Sequence, residues 1–417
     1  TIEKLKQEYR KKDCVILYFI GLTESYEGEG YDRKNLKIPQ NQEELLTEIA
    51  ETVGKDHIAA ISFGGAPMDF SFEKNVGAML HMYLGGQAVG ESVADLISGE
   101  VTPSGKLAET IPFSEKDTPA WRYFAPPNDD VEYRESIFVG YRYYETFHVP
   151  VKYPFGYGLS YTSFSYSELD VPGVYSGGKI QIRFKIKNIG KVSGAEIAQL
   201  YICPIESDVI RSHIELKGFQ KIYLHPGEEK EVILELDERS FSVYDVEKKA
   251  FSMLSGKYHI CIGASVHDLQ LKANMEVVGN SYFRNERELF PDYFREQPHG
   301  MEISAEQFYQ LLGGEPKHDK EKKRGEYTVY DSYQDVVNVS MFGKFVRGVV
   351  HIGLKIILRG KSERDPAFKM VKMGVEEGNL EGLIATSGGI ATPKLIDMLV
   401  YNANKKYLQA FKRLLKK

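Results

Sequence analysis

The chain contains few of the residues that mark disulfide-rich, metal-binding or membrane-spanning proteins. Its 417 residues include three cysteines, Cys14, Cys203 and Cys261, which lie far apart in the sequence. An odd number without metal-ligand spacing is typical of reduced core thiols. The ten histidines are scattered singly, so we predict no metal site and no cofactor. No run of 18 or more apolar residues occurs, which argues against a transmembrane helix.

Charge of one sign is also lacking. The formal net charge is -6, and acidic and basic residues are interspersed. This balance disfavours nucleic acid as a partner. No charged and then apolar leader is present, so we expect a cytoplasmic location. The first residue is Thr1, inside a predicted helix, and we therefore expect the natural N-terminus to lie further upstream.

The length and the hydrophobic content of 42% predict a multidomain protein. Up to about residue 115, predicted strands at 14–20, 57–63 and 78–84 alternate with predicted helices at 41–53 and 88–97. This order indicates an open parallel α/β sheet with right-handed crossovers. Three strands are fewer than such a sheet usually has, so we expect an N-terminally truncated domain at 1–120.

A glycine-hinged acidic loop follows the first predicted strand: Glu27-Gly28-Glu29-Gly30-Tyr31-Asp32-Arg33. Ligands of open α/β sheets bind outside the carboxyl ends of the strands, so Glu29 could deliver a proton to a ligand there. Glu27 is the reserve candidate for this role, and Asp32 and Arg33 are predicted to pair and order the loop. Acidic residues between glycines also occur as solvated turn residues, and this alternative stays open.

An aromatic segment and a β-rich segment follow. Residues 121–165 combine aromatic residues with proline and glycine and are predicted to form a belt between domains; aromatic platforms for sugar rings are the alternative. In 166–280 the hydrophobic pattern alternates, as in Ile180, Ile182, Phe184 and Ile186. This pattern predicts an antiparallel β-sandwich of the immunoglobulin or fibronectin III kind.

The last third of the sequence is predicted to contain a charged surface linker at 281–335 and a helical extension at 336–417. Residues 339–359 form a basic amphipathic helix, with Lys344, Arg347, His351 and Lys355 on one face. Such a helix lies on a membrane surface or docks on a neighbouring domain. We expect docking, and a membrane is not expected as a partner.

Several blocks in order resemble the C-terminal part of glycoside hydrolase family 3, the β-glucosidase family. The loop at 27–33 looks like the family's acid/base loop, and Leu84-Gly85-Gly86-Gln87-Ala88-Val89-Gly90 is similar to its glycine-glutamine turn. Thr102-Pro103-Ser104-Gly105-Lys106-Leu107 resembles another family segment. The blocks at 139–144 and 155–161 resemble its aromatic belt, and Glu215-Leu216-Lys217-Gly218-Phe219 fits its β-sandwich. The resemblance covers about residues 5–280. The tail beyond 330 is similar to an extension of some bacterial members.

The resemblance implies a retaining, exo-acting β-glycosidase, first of all a β-glucosidase, with Glu29 as the general acid/base. The nucleophile would be an aspartate on a (β/α)₈ barrel. These 417 residues cannot hold such a barrel beside the β-sandwich, so the barrel would belong to a further part of the same chain or to a second chain. Alone, the chain is predicted to be inactive. The alternative is a non-catalytic carbohydrate-binding or scaffold protein derived from such a hydrolase.

The implied substrate is a β-linked oligosaccharide or an aryl or alkyl β-glycoside. Glucose, xylose and arabinose all stay open as the cleaved sugar. Glu27, Asp32, Arg33 and Phe70 are the predicted substrate-binding residues, although Phe70 and Phe72 depart from the family's more usual proline-tryptophan. A homo-oligomer is compatible with the sequence.

Overall fold

The computed structural model of the protein falls into two compact units, one comprising residues 1–19 and 36–316 and the other residues 20–35 and 317–417. The structure describes residues 2–9, 14–28, 33, 35–124, 131–279, 285–316, 322–357, 365–376 and 378–415.

A three-stranded sheet and its helices form the first part of the chain. The elements are α1 (Ile2–Tyr9), β1 (Ile16–Gly21), α2 (Gln40–Val53), β2 (Ile58–Phe63), β3 (Ala78–His81) and α3 (Val89–Ser98). The strand order is β1-β2-β3, and β2 pairs with β3 in parallel. The predicted parallel α/β domain is confirmed.

Helix α2 buries one face against the sheet domain. Leu46, Ile49 and Val53 are buried, whereas the neighbouring Leu45 is 44% exposed. Successive helical residues are rotated by about 100°, so Leu45 lies at the edge of the buried arc that centres on the other three.

The aromatic belt contains α4 (Tyr141–Thr146) and β5 (Val151–Tyr153); β4 (Ile111–Pro112) lies before it in the chain, and two helices, α5 (Glu286–Leu289) and α6 (Ala305–Leu312), follow the β-sandwich. Its core joins side chains from both regions: Phe138, Tyr143, Tyr144 and Val149 with Phe290, Tyr293, Met301 and Ile303. The Tyr143 hydroxyl donates to the Gln297 carbonyl at 2.6 Å. Residues 286–303, placed by the sequence in a charged surface linker, therefore complete the belt, because their high charge conceals a few large apolar side chains.

The belt is joined to the segment at 102–107 through the backbone. Leu107 N donates to Tyr157 O at 2.8 Å, and Gly156 N donates to Leu107 O at 2.8 Å. Lys106 donates to Gly158 O at 2.9 Å and forms an ion pair with the buried Glu196 at 3.0 Å. These two sequence blocks are thus parts of one structural joint.

The β-sandwich is built from ten strands: β6 (Phe164–Asp170), β7 (Val174–Tyr175), β8 (Ile180–Asn188), β9 (Gly194–Pro204), β10 (Glu215–Leu224), β11 (Glu229–Leu236), β12 (Ser242–Asp245), β13 (Ala250–Met253), β14 (Gly256–Gly263) and β15 (Leu269–Val277). One sheet has the order β10-β9-β14-β15-β7 and another the order β11-β8-β6. Ile182, Phe184 and Ile186 are buried in the core. The alternation predicted for this region is confirmed.

The helical extension comprises α7 (Tyr333–Asn338), α8 (Met341–Ile357), α9 (Pro366–Glu376), α10 (Leu380–Thr386), α11 (Pro393–Ala403) and α12 (Tyr407–Leu415). Its core includes Val336, Val337, Leu380, Ile396 and Leu399. Ser332, Asn379 and Thr392 cap three of these helices by accepting backbone N–H groups. The predicted helical extension is confirmed. Over the described part of the chain, no helix is both long and apolar enough to cross a membrane.

Candidate functional site

The carboxyl ends of β2 and β3 bring Ser62 and His81 together. The parallel register places the two residues opposite each other, and Ser62 Oγ lies 2.9 Å from His81 Nδ1. Beyond the strands, Met82 N donates to Ser62 O at 2.9 Å, and Gly64 N donates to Tyr83 O at 3.3 Å. This edge is the position where open parallel sheets bind ligands.

His81 is held between two aromatic rings. Its ring centroid lies 5.2 Å from that of Phe70, edge to face, and 4.1 Å from that of Tyr83. His81 Nε2 is buried and has no hydrogen-bond partner among the described residues. Burial lowers the pKa of His81, and a hydrogen bond with the Ser62 backbone acts in the opposite direction. The imidazole is therefore kept neutral at physiological pH.

Tyr83 adds a second titratable group to this edge. Burial raises the pKa of its phenol, and the neighbouring Glu109 raises it further. The backbone of Tyr83 has a φ of 50°, a left-handed conformation that is uncommon outside glycine. The phenol therefore stays protonated and is held in a constrained turn between β3 and the Gly85-Gly86-Gln87 segment.

Phe70, one of the predicted substrate-binding residues, is 3% exposed. Besides His81, its ring contacts Phe72 at a centroid distance of 5.7 Å and Tyr153 at 5.9 Å. In this chain Phe70 therefore packs beneath the strand edge. Its contact with a substrate stays a prediction.

Glu73 links the segment after Phe70 to the aromatic belt through two side-chain contacts. One carboxylate oxygen accepts from Lys152 and the other from the Tyr153 hydroxyl. Burial and Glu73 raise the pKa of Tyr153. Since Tyr153 also contacts Phe70, this anchor holds the aromatic group around His81 in place.

The acidic loop is described only at its ends. Two predicted site residues lie outside the described residues: Glu29, the predicted acid/base, and Asp32, a predicted substrate-binding residue. Glu27 ends a turn in which Tyr26 N and Glu27 N donate to Thr23 O at 2.8 and 3.0 Å. Glu27 and Arg33 are half-buried. The pairing of Asp32 with Arg33 stays a prediction.

The beginning of the loop contacts the helical extension. Residues 20–35 form one compact unit with residues 317–417. Lys369 Nζ, on α9, donates to Ser25 O at 3.1 Å. The turn that precedes Glu27 is therefore supported by a helix that lies more than 300 residues later in the sequence.

A separate cavity of about 600 Å³ lies beside the belt and is lined by Phe138, Phe147, His148, Arg211, His213 and Tyr293, among others. Arg211 is neutralised there by Glu215 at 2.8 Å and donates to the Tyr258 hydroxyl at 3.1 Å. None of the described site residues predicted from the sequence lines this cavity. Its size alone does not make it the reaction site.

Ser62, His81 and Tyr83, which the structure brings together at this edge, are not among the site residues predicted from the sequence. The histidines are scattered singly in the sequence, and Ser62 lies within the predicted strand at 57–63. One signal was available: His81 and Tyr83 lie at the end of a predicted strand, directly before two glycines. Polar residues in that position lie near the edge where open parallel sheets bind ligands.

Two family models match the chain. Residues 1–161 match the glycosyl hydrolase family 3 C-terminal domain, and residues 196–266 match the fibronectin type III-like domain. Thermostable beta-glucosidase B of Acetivibrio thermocellus is 42% identical over 278 residues, which are 66% of this chain and 36% of that protein. An exo-alpha-(1->6)-L-arabinopyranosidase of Bifidobacterium breve is 36% identical over 67% of this chain and 37% of its own length.

A solved structure gives the same result. The crystal structure of a Bifidobacterium adolescentis GH3 beta-glucosidase matches with a TM-score of 0.62 and 35% identity, covering 67% of this chain and 42% of that chain. The matched part of this chain spans about a third of the length of the two curated relatives, the beta-glucosidase and the arabinopyranosidase. Both domain matches fall in the regions where the structure has the parallel sheet and the β-sandwich. The chain therefore belongs to glycoside hydrolase family 3, of which it carries the C-terminal domain followed by a fibronectin type III-like domain.

Proposed function

We propose that this chain supplies the general acid/base of a retaining, exo-acting β-glycosidase, and that Glu29 is that residue. The observation that carries the proposal is the match of residues 1–161 to the family's C-terminal domain, in which the Glu27-Gly28-Glu29-Gly30 segment comes six residues after the end of β1 at Gly21. The general rule that open α/β sheets bind their ligands beyond the carboxyl ends of their strands supports this assignment.

The chemistry requires a second carboxylate. In a retaining glycosidase two carboxyl groups lie about 5 Å apart: one attacks the anomeric carbon, and the other protonates the leaving oxygen and later deprotonates water. Glu29 takes the second role. Gly28 and Gly30 allow the loop to close on a bound sugar, and exclusion of water on closure keeps the carboxyl group protonated. The nucleophile is an aspartate on a (β/α)₈ barrel outside these 417 residues.

The proposed substrate is a β-linked oligosaccharide or an aryl or alkyl β-glycoside, with glucose as the cleaved sugar. The beta-glucosidase relative supports glucose. The arabinopyranosidase relative, at 36% identity, supports a pentose as the second candidate. Comparison of glucoside, xyloside and arabinoside hydrolysis by the full-length protein decides between them.

The Glu29→Gln variant of the full-length protein tests the assignment. With alkyl glycosides, whose leaving group needs a proton, we expect kcat/KM to fall by roughly 10²–10⁴-fold. Glycosides with a good leaving group still form the glycosyl-enzyme without the acid, and azide, which needs no general base, restores their turnover. Steady-state kinetics with both substrate types, with and without azide, measure these effects.

Glu27→Gln is the matched control, two residues away in the same loop. We expect it to keep general acid/base catalysis and to show no azide rescue. If Glu27→Gln shows the leaving-group dependence and the rescue instead, the assignment to Glu29 is wrong. The 417-residue chain alone should not turn over any glycoside, because one carboxyl group cannot form the covalent intermediate.

A further inference from the structure

Helix α8 has two apolar faces, and only one of them is covered. Phe342, Val346 and Val350 pack on the core of the helical extension. A second set, which we call the α8 stripe, is exposed to solvent by 53–85% of each side chain: Met341, Phe345, Val349, Ile352 and Ile356. Docking on neighbouring helices, as expected from the sequence, thus covers the Phe342 face of α8 and leaves the α8 stripe exposed.

The stripe is narrow and continuous. At about 100° per residue, its five side chains fall within an arc of about 80° and extend along about 22 Å of the helix. Isolated exposed apolar residues are common, but an aligned row of this length marks an interaction surface.

Basic residues border the stripe on the side away from the buried face. Lys344, Arg347, His351 and Lys355 all lie on this arc of α8, and Lys344, Arg347 and Lys355 are exposed. Between residues 336 and 362 the sequence contains five lysines or arginines and no aspartate or glutamate. The surface therefore combines apolar and purely cationic groups.

Helix α12 repeats this combination. Its exposed side chains include Tyr407, Leu408, Phe411, Leu414 and Leu415, with exposures of 49–78%. Residues 398–417 contain six lysines or arginines and no acidic residue, in a chain whose formal net charge is -6, and one of the six, Arg413, pairs with Asp397 at 2.8 Å. Positive charge and exposed apolar groups are thus concentrated in the same two helices.

We propose that α8 and α12 bind the surface of an anionic lipid bilayer, with the α8 stripe inserted at the boundary between headgroups and acyl chains. Basic residues beside an inserted apolar face contact lipid phosphates and are attracted to an anionic surface. The mode is peripheral, since no described helix is long and apolar enough to cross a membrane. This binding is independent of the proposed hydrolase activity.

The kind of basic residue favours lipid over a protein partner. The segments 336–362 and 398–417 together contain eight lysines and three arginines. Protein interfaces are enriched in arginine and depleted in lysine, because lysine loses more hydration and entropy on burial. At a bilayer surface the lysine ammonium groups stay hydrated at the level of the phosphates. A bilayer therefore does not favour arginine over lysine.

Co-sedimentation of the full-length protein with vesicles tests the proposal. We expect binding to phosphatidylcholine vesicles that contain phosphatidylglycerol, weaker binding to phosphatidylcholine alone, and loss of binding as salt is added. Phe345→Glu/Ile352→Glu should lower the partition coefficient for the anionic vesicles by about tenfold or more.

Phe219→Glu/Ile189→Glu is the matched control, with the same change of charge at side chains of the same exposure. Phe345 and Ile352 are 68% and 60% exposed, and Phe219 and Ile189 are 67% and 59% exposed in the β-sandwich. The control should bind the anionic vesicles like the unchanged protein. Equal loss in both double variants would show that charge alone matters and would overturn the proposed surface.

A second pair of variants decides the matter if the stripe variant does not fold, as judged by thermal unfolding. Lys344→Gln/Lys355→Gln should weaken binding and reduce its dependence on salt, whereas Lys221→Gln/Lys257→Gln in the β-sandwich should not. Absence of binding to anionic vesicles overturns the proposal. A second result would also overturn it: the protein self-associates in sedimentation experiments, the stripe variant abolishes this self-association, and no vesicle binding occurs. In that case a second copy of the chain covers the α8 stripe.

Discussion

At the scale of single residues, His81 links the packing of the sheet edge to pH. Its pKa is lowered from the ordinary value of 6.5, chiefly by burial. Between the folded-state and unfolded-state pKa values the unfolded chain binds more protons, so acid favours unfolding. The contribution of neutral His81 to stability is present above about pH 6.5 and is lost as the pH falls toward the lowered pKa.

The His81→Leu variant should therefore lose less stability in acid. Between pH 7 and pH 5 we expect the free energy of unfolding to fall less steeply than in the unchanged chain, by at most about 1.4 kcal/mol per pH unit. Urea unfolding at a series of pH values measures the slope. His213, whose pKa burial also lowers, stays in place, so part of the slope remains. Ser62→Ala keeps the imidazole and should keep the slope; identical slopes for His81→Leu and the unchanged chain would contradict the prediction.

At the scale of elements, the contact between residues 102–107 and 155–161 shows why residue 158 is a glycine. A Cβ atom on Gly158 would lie 2.2 Å from Gly105 O, a backbone atom. Gly158 O in turn accepts from Lys106, which forms an ion pair with Glu196 of β9. A side chain at Gly158 would therefore separate the belt from this segment and disturb a buried ion pair.

Gly158→Ala should destabilise the chain by about 1–3 kcal/mol, the usual cost of inserting an atom into a closely packed contact. Gly173→Ala is the matched control. No atom lies within 4 Å of a Cβ at Gly173, so we expect a change of about 0.5 kcal/mol or less. Urea unfolding midpoints compare the two variants, and equal midpoints would show that the joint does not contribute.

At the scale of the whole molecule, the chain has separate hydrophobic cores in its two units. Phe184 is 1% exposed in the core of the β-sandwich, within the first unit, and Leu399 is 1% exposed in the core of the helical extension, within the second. Units with their own cores unfold in separate cooperative transitions unless a large interface couples them.

In scanning calorimetry, substitutions in the two cores should consequently affect two different unfolding transitions. Phe184→Ala and Leu399→Ala each remove about 2–5 kcal/mol of stability, and each should lower the midpoint of a different transition. Phe219→Ala and Leu408→Ala, at 67% and 78% exposed positions, should shift neither. A single transition lowered equally by both core variants would show that the units unfold as one.

The sequence by itself determined the fold class, the order of the domains and the family. Strand and helix periodicities depend on which side chains a local segment must bury, and these can be counted along the chain, as for Ile182, Phe184 and Ile186. The resemblance to the family depends on short blocks such as Thr102-Pro103-Ser104-Gly105-Lys106-Leu107, whose residue types can be read directly from the chain. The role of Glu29 comes from such a block and stays a prediction.

Only the tertiary structure decided which distant residues meet. Ser62 and His81 become partners through the pairing of β2 with β3, and Phe290 and Tyr293 join the belt although their surroundings in the sequence are charged. It also separated the apolar residues of α8, since Val346 is buried and Phe345, beside it in the sequence, is exposed. Periodicity predicts that a helix has an apolar face, but only the position of its neighbours determines which apolar residues are covered.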